Sequence, residues 1–309
     1  MCSIFYICQS IRYYETIRNN ITINFLPGLL SAQIWKRYRK QVTLGVGATN
    51  FFGDLGGGDD IGTKDFTDVD IAATRMTINA GFKYQLTKNF TARANLTWGL
   101  LRGDDKFTDE KFRNQRNLNF RSNIWEGSIM GELYILQNSR NGSFRLRGIR
   151  GNNGLKMDIY LLGGVGLMYF NPKGQLPNGD WIALQPIGTE GQGLPGQKSK
   201  YNRTTLTIPI GIGIAKSIDR YWTIGLEIVY RNTFSDYIDD VGGNFYDTEA
   251  IIKANGGDRS IEPLISSGVN GNGIQGEKRG GSDSNDSFMT GTITITKKLL
   301  ARRRSRPKF

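Results

Sequence analysis

The sequence predicts an all-β fold, an eight-stranded antiparallel transmembrane β-barrel with long outer loops and short periplasmic turns. Three observations carry this. Eight segments alternate apolar and polar residues with period 2, which is the spacing of a strand with two unlike faces. The connections between them alternate long and short along the chain, as in barrels that put short turns on the periplasmic side and longer loops outside. The chain has 309 residues and a mean hydropathy of -0.39. No run of about 18 apolar residues offers a membrane helix, so any span must be β.

The strands follow in order. Residues 41–50 open the series and carry the alternation loosely. Residues 75–86 set Met76, Ile78, Ala80, Phe82, Tyr84 and Leu86 against Thr77, Asn79, Lys83 and Gln85. Residues 90–100 set Phe90, Ala92, Ala94, Leu96, Trp98 and Leu100 against Thr91, Arg93, Asn95, Thr97 and Gly99. In 125–135, Trp125, Ile129, Leu133 and Ile135 oppose Glu126, Ser128 and Glu132. The fifth strand, 157–170, is less regular. The sixth, 204–214, presents Leu206, Ile208, Ile210, Ile212 and Ile214 against small or polar partners. The seventh, 221–231, is the clearest, with Trp222, Ile224, Leu226, Ile228 and Tyr230 against Thr223, Gly225, Glu227 and Arg231. Residues 288–297 close the set.

With the first strand rising from the periplasm, the odd connections are 53–70, 103–117, 171–203 and 234–285, all rich in Gly, Asp and Asn. The even ones are 87–89, 138–154 and 217–220, two tight turns and one longer basic loop. The aromatics fall where girdles belong. Phe82, Tyr84, Phe90, Tyr221 and Trp222 lie toward the periplasmic rim, and Trp98, Trp125, Tyr169, Phe170 and Tyr230 toward the outer one. The competing reading is a soluble β-protein with aromatic cross-strand pairs in its core.

A net charge of +12 first suggests nucleic acid. Its distribution excludes that reading. Residues 41–296 hold as many acids as bases, and the excess lies mainly in Lys36, Arg37, Arg39 and Lys40 and in the tail, where Arg302, Arg303, Arg304, Arg306 and Lys308 follow Lys297 and Lys298. An even-stranded barrel puts both ends on the periplasmic side, where they face anionic headgroups or an acidic partner. The alternative is a solvated end that aids solubility. Residues 1–32 read as a signal peptide, with 21–30 apolar and cleavage after Ala32, or as an extension upstream of the true start. On that division 33–40 is a basic lead-in, 41–298 the barrel and 299–309 a basic periplasmic tail, and the mature chain has lost Cys2 and Cys8 and any disulfide.

The chain contains no His. That excludes Ser–His and His–Asp hydrolases and His-ligated zinc, so the expectation is no enzyme, no cofactor and no small-molecule substrate. The paired carboxylates Asp59–Asp60, Asp104–Asp105 and Asp239–Asp240 lie in or beside polar outer loops, where acidic turn residues are common, and weak calcium binding is the alternative. Gly56, Gly57 and Gly58 lack the Lys-Ser/Thr and helix of a phosphate loop. One constellation stands out. Lys83, Arg93, Glu126, Glu132, Glu227 and Arg231 all face inward. An eight-stranded barrel is just wide enough to be filled by side chains, and charges of both signs inside it must pair, so the expectation is a plugged interior without general porin activity.

Several motifs carry a family resemblance. They are the run 50–55 through Asp54 after the first strand, 116–122 with Trp125 and Glu126 at the fourth, and 233–241 after the seventh, which holds Phe234, Asp236, Tyr237, Asp239 and Asp240. Residues 170–172, 184–186 and 188–193 in the third outer loop and the ending Pro307-Lys308-Phe309 add to these. Together they resemble the PorG-like outer-membrane barrels, whose best characterised member belongs to the type IX secretion system. The resemblance covers about residue 41 to the end and implies a non-enzymatic adaptor in the bacterial outer membrane. Its partners would be lipid and, through turns and tail, periplasmic secretion-ring subunits. The departures are the start of the chain and the long fourth loop, 242–285. Its alternative is a stand-alone small barrel with an envelope-stabilising or adhesive role. The motifs after the seventh strand and Thr189-Glu190-Gly191 read as loop packing that caps the barrel mouth.

Overall fold

The computed structural model describes residues 38–55, 73–107, 116–137, 157–266, 275–281 and 285–300. Its strands are β1 (Lys40–Phe52), β2 (Arg75–Gln85), β3 (Phe90–Asp104), β4 (Asn119–Gln137), β5 (Asp158–Gln175), β6 (Trp181–Ala183), β7 (Thr204–Ser217), β8 (Trp222–Thr233) and β9 (Ser287–Leu299). Each strand other than β6 pairs antiparallel with its neighbours, and the ring closes where β1 pairs with β9, Lys40 opposite Leu299 and Phe52 opposite Ser287. β6 pairs with β5 alone, as an outer hairpin. Closure leaves a barrel of eight strands with no free edge, which a membrane span requires because lipid offers the backbone no hydrogen bonds.

The two faces separate as the alternation predicts. Leu44, Ile129, Val165, Leu206 and Ile293 point outward, Ile129 70% exposed, and no described protein surface covers this apolar band. Residues of the opposite parity on the strands, including Thr43, Thr77, Asn95, Thr97, Thr207 and Thr292, are buried in the lumen. A polar interior inside an apolar exterior is the inverse of a soluble core, and an even-stranded single-chain barrel of this kind belongs to the bacterial outer membrane. Among the described residues no helix is long and apolar enough to cross a membrane.

Three strands run further than the alternation indicates. β3 continues to Asp104, β4 begins at Asn119 and β5 reaches Gln175. At 19 residues β4 far exceeds the ~9–11 that cross a bilayer. Hydrophobic alternation stops at the membrane edge because Asn123, Arg121, Asn171 and Lys173 face water there, but the backbone ladder continues. Phe170 is a correction. It is fully buried and stacks near Tyr201, rings 6.3 Å apart, so it belongs to the core of the mouth and not to the outer girdle. Trp98, Trp125 and Tyr169 do form a row, directly opposite one another on β3, β4 and β5.

The periplasmic turns are local. Asp219 accepts from the amides of Tyr221 and Trp222, each at 2.6 Å, and the Thr87 hydroxyl accepts from Phe90 N–H. A bulge at Ile135 shifts the β4–β5 register and turns Ile135 and Leu136 outward together. Pro209, which has no N–H to donate, lies at the break in the β5–β7 ladder, whose register is the same on either side.

Above the membrane the loops fold into a cap. Helices α1 (Thr248–Ala254) and α2 (Glu262–Ile265) bury Ile251, Ile252, Leu264 and Ile265. Phe51, Leu55, Phe120, Phe170, Ile238 and Val241 form an apolar core at the barrel mouth. The start of the chain with Lys36 and Arg37, the tail residues Arg302, Arg303, Arg304, Arg306 and Lys308, the pair Asp59–Asp60, Gly56 to Gly58 and the 138–154 connection lie outside the described residues.

Candidate functional site

The lumen holds the inward-facing charges. Lys83 on β2 and Arg93 on β3 are direct cross-strand partners, which alone would repel. Two carboxylates resolve this. Glu132 on β4 reaches Lys83 Nζ at 2.6 Å and Arg93 Nη1 at 3.4 Å, and Glu227, from β8 on the opposite wall, reaches Arg93 at 2.8 Å and Lys83 at 3.6 Å. Arg231 Nε donates to Glu126, and its Nη1 donates to Thr290 Oγ1 at 2.7 Å. All six side chains are buried, and the two groups are each electrically balanced.

Residues outside that constellation complete it. Tyr160 donates to Glu227 at 2.8 Å and Tyr134 to Glu132 at 3.0 Å, while Asn95 Oδ1 accepts from Arg93 Nη2 at 3.1 Å. Tyr134 shares the parity of Glu126 and Glu132, a signal in the sequence that could have found it. Opposite Glu227 on β7 stands Gly213, where a Cβ would strike the Tyr160 ring, so the glycine makes room for that ring in the lumen. A void of about 10 Å³ remains beside Lys83 and Tyr160, room for one water at most.

At the mouth the loop motifs interlock. Arg116 is buried and grips Asp105 at 2.7 and 2.8 Å while donating to the carbonyls of Arg279 (2.5 Å) and Asp54 (2.8 Å), which ties the first, second and fourth outer loops together. Burial works against its charge, but Asp105 more than offsets this and raises its pKa. The third and fourth loops meet at Asp240. Its carboxylate accepts from Thr189 Oγ1 at 2.5 Å and Tyr201 at 2.6 Å. Glu190 accepts from the amides of Gly242 and Gly243, both at 3.0 Å, and Arg279 spans Glu190, Thr189 and the Asp240 carbonyl. Asp240 holds a φ of 69°, a left-handed conformation that Asp tolerates better than most residues.

Asp239 accepts from the amides of Leu55 and Val241, Asp54 from Gly281 and Asp286 from Ile238. Burial, reinforced by Asp54, pushes the Asp239 carboxyl well above its ordinary range, and burial with Asp239 does the same to Asp286. Burial also outweighs Arg279 at Asp240 and raises it to about 6. Tyr237 stacks on Tyr201 with ring centroids 4.7 Å apart, and burial, followed by Glu190, pushes its hydroxyl up to about 12. Asp236 flanks this group and is half-buried. Phe234 does not join it, because its ring is exposed on the outside of the barrel. Asp104 pairs with Arg102 and Lys106. Among the described residues no three His, Cys, Asp or Glu side chains are grouped to hold a metal.

No family model matches the chain, and no curated protein does. Solved structures similar to it include Neisserial surface protein A, at 7% identity and a TM-score of 0.35 over 84% of this chain and 97% of that one. Ail, the attachment invasion locus protein of Yersinia pestis, in complex with a heparin analogue, gives 8% and 0.35 over 84% and 98%. OprG from Pseudomonas aeruginosa gives 9% and 0.36 over 86% and 98%. At these values the likeness adds nothing to the fold, which rests on the strand pairing described above.

Proposed function

We propose that this chain is a stand-alone small outer-membrane barrel that reinforces the envelope and presents a rigid folded cap at the cell surface, and that it neither conducts solutes nor catalyses a reaction. The observation that carries this is the double closure. The paired charges Lys83, Arg93, Glu132 and Glu227 fill the lumen, and the Arg116 and Asp240 clusters lock the loops over its mouth. In planar lipid bilayers the purified barrel is expected to insert without steady conductance. A stable open current at low voltage would sink the reading.

A second reading, an adaptor of PorG-like type within type IX secretion, draws support from the motifs quoted above and from the chain ends. Lys40 opposite Leu299 brings the two basic flanks to one rim. Cross-linked co-purification of tagged barrel with and without residues 301–309 tests it. Secretion subunits recovered only with the intact tail would favour the adaptor, and barrel alone in both cases would leave the stand-alone role.

A further inference from the structure

The outward face of β3, β4 and β5 carries a pattern that neither barrel closure nor the cap explains. Above the aromatic row, Arg102, Arg121 and Lys173 stand directly opposite one another on three adjacent strands. Their Cα atoms are about 5 Å apart, and like charges in such positions destabilise a sheet. Arg203 adds a fourth cation beside them, over the Tyr169 ring at 5.6 Å. Among the described residues the carboxylate paired with any of these four is Asp104, 3.4 Å from Arg102 and shared with Lys106. The Arg121 guanidinium lies over the Trp181 ring, 4.2 Å from its centroid, a cation–π contact that positions it, with no carboxylate paired to it among the described residues. On the opposite side of the ring the strands β8 and β9 carry the uncharged Asn232 and Met289 on their outward faces near this rim.

The level of the ladder matters. Arg102, Arg121 and Lys173 each lie four residues outward of Trp98, Trp125 and Tyr169, roughly 13 Å along the strands. An aromatic girdle sits at headgroup level, so the cations stand at the outer, water-facing edge of the polar headgroup layer, within reach of the phosphates of a lipid with a large head. Below the girdle the outward face of β2 to β5, flanked by Val42 of β1 and Leu206 of β7, forms a shallow open apolar groove of about 750 Å³, lowered at Ala80, Ala94 and Gly127 and edged by Leu96, Ile129 and Leu167.

We propose that this face binds one phosphorylated lipid of the outer leaflet, with its phosphate groups clamped by Arg102, Arg121, Lys173 and Arg203 and an acyl chain lying in the groove beneath Trp125. A cationic clamp above an apolar trough matches a molecule that is anionic at one end and apolar at the other. The inference deepens the outer-membrane reading and rests on it.

Native mass spectrometry of the detergent-purified barrel tests the site, with diphosphoryl lipid A and its dephosphorylated form as probes. Wild type is expected to retain the phosphorylated form at least ten-fold better. Arg121→Gln with Lys173→Gln should abolish that preference, whereas Lys216→Gln with Arg220→Gln, at the opposite rim, should leave it intact. Gly127→Leu fills the groove, and because a Cβ at Gly127 meets nothing within 4 Å it should fold normally and weaken retention several-fold. Equal retention by wild type and the Arg121/Lys173 variant would overturn the proposal. So would full competition by millimolar inorganic phosphate, which would mean a site for free anions. Insertion into vesicles with protease protection is read in parallel for each variant, with either single Gln variant replacing a double variant that does not insert. Failure of the wild type to insert counts against the membrane reading, and insertion of the wild type without lipid discrimination counts against this inference alone.

Discussion

Replacing Glu227 with Gln removes one negative charge from the lumen while keeping the side-chain shape and an acceptor for Tyr160. In the wild type Glu227 lies 2.8 Å from Arg93 and 3.6 Å from Lys83. At an effective dielectric constant near 20 these contacts are worth about 6 and about 5 kcal/mol of gross attraction. Most of that offsets the desolvation of the ions, and removing one partner of a buried ion group costs about 3 to 5 kcal/mol because a charge is left uncompensated. Glu227→Gln is therefore expected to destabilise the barrel by that amount, since Lys83 and Arg93 then share Glu132 alone. Adding Lys83→Met returns the cluster to one cation and one anion and should recover about 2 kcal/mol as a coupling energy. The assay is urea unfolding of the protein refolded in phosphatidylcholine vesicles, followed by tryptophan fluorescence. A loss below about 1 kcal/mol, or strict additivity of the two substitutions, would refute the charge-balance argument.

Three further outcomes are expected. Leu226→Arg places a charge on the lipid face and should cost about 2 to 4 kcal/mol in the same assay, whereas Thr223→Arg, beside the small lumenal void, should cost less; equal costs would mean the faces are misassigned. Arg116→Met removes the guanidinium that grips Asp105 and the Asp54 carbonyl, so amide exchange at Leu55 and Leu118 should accelerate strongly while β7 and β8 stay protected, and unchanged exchange would show that the clamp does not hold the cap. The third concerns pH. Asp240 keeps its proton to about 6 in the folded cap but releases it near 3.8 when the loop is unfolded, so the folded state binds more protons in between and cap stability falls as pH rises from about 4 to 6, by about 3 kcal/mol. Asp239 and Asp286, whose carboxyls burial also raises, contribute with the same sign. Limited proteolysis of the cap, normalised to an unfolded substrate, should show this loss, and Asp240→Asn should flatten it; a cap that tightens over that interval would contradict the sign.

The sequence by itself determined the eight spanning segments, the lipid-facing side of the five that alternate cleanly, and which charges enter the lumen. These follow from the two-residue period of a strand and from the absence of a long apolar run, both readable within a single segment. It also indicated that Asp239, Asp240 and Thr189 belong to loop packing, through turn-forming residues beside membrane strands. Only the tertiary structure decided that Glu227 meets Arg93 across the lumen, because that contact depends on ring closure and on the register of strands far apart in the chain. The same holds for Arg116 under the cap and for the row of Arg102, Arg121 and Lys173. The strand ends above the membrane were hidden for a related reason. Once both faces of β4 meet water or cap, hydrophobic alternation no longer marks the strand, and the backbone pairing with β3 and β5 alone carries it on to Asn119. Phe170 lay beyond the same limit, since the apolar core that buries it is assembled from loops distant in sequence.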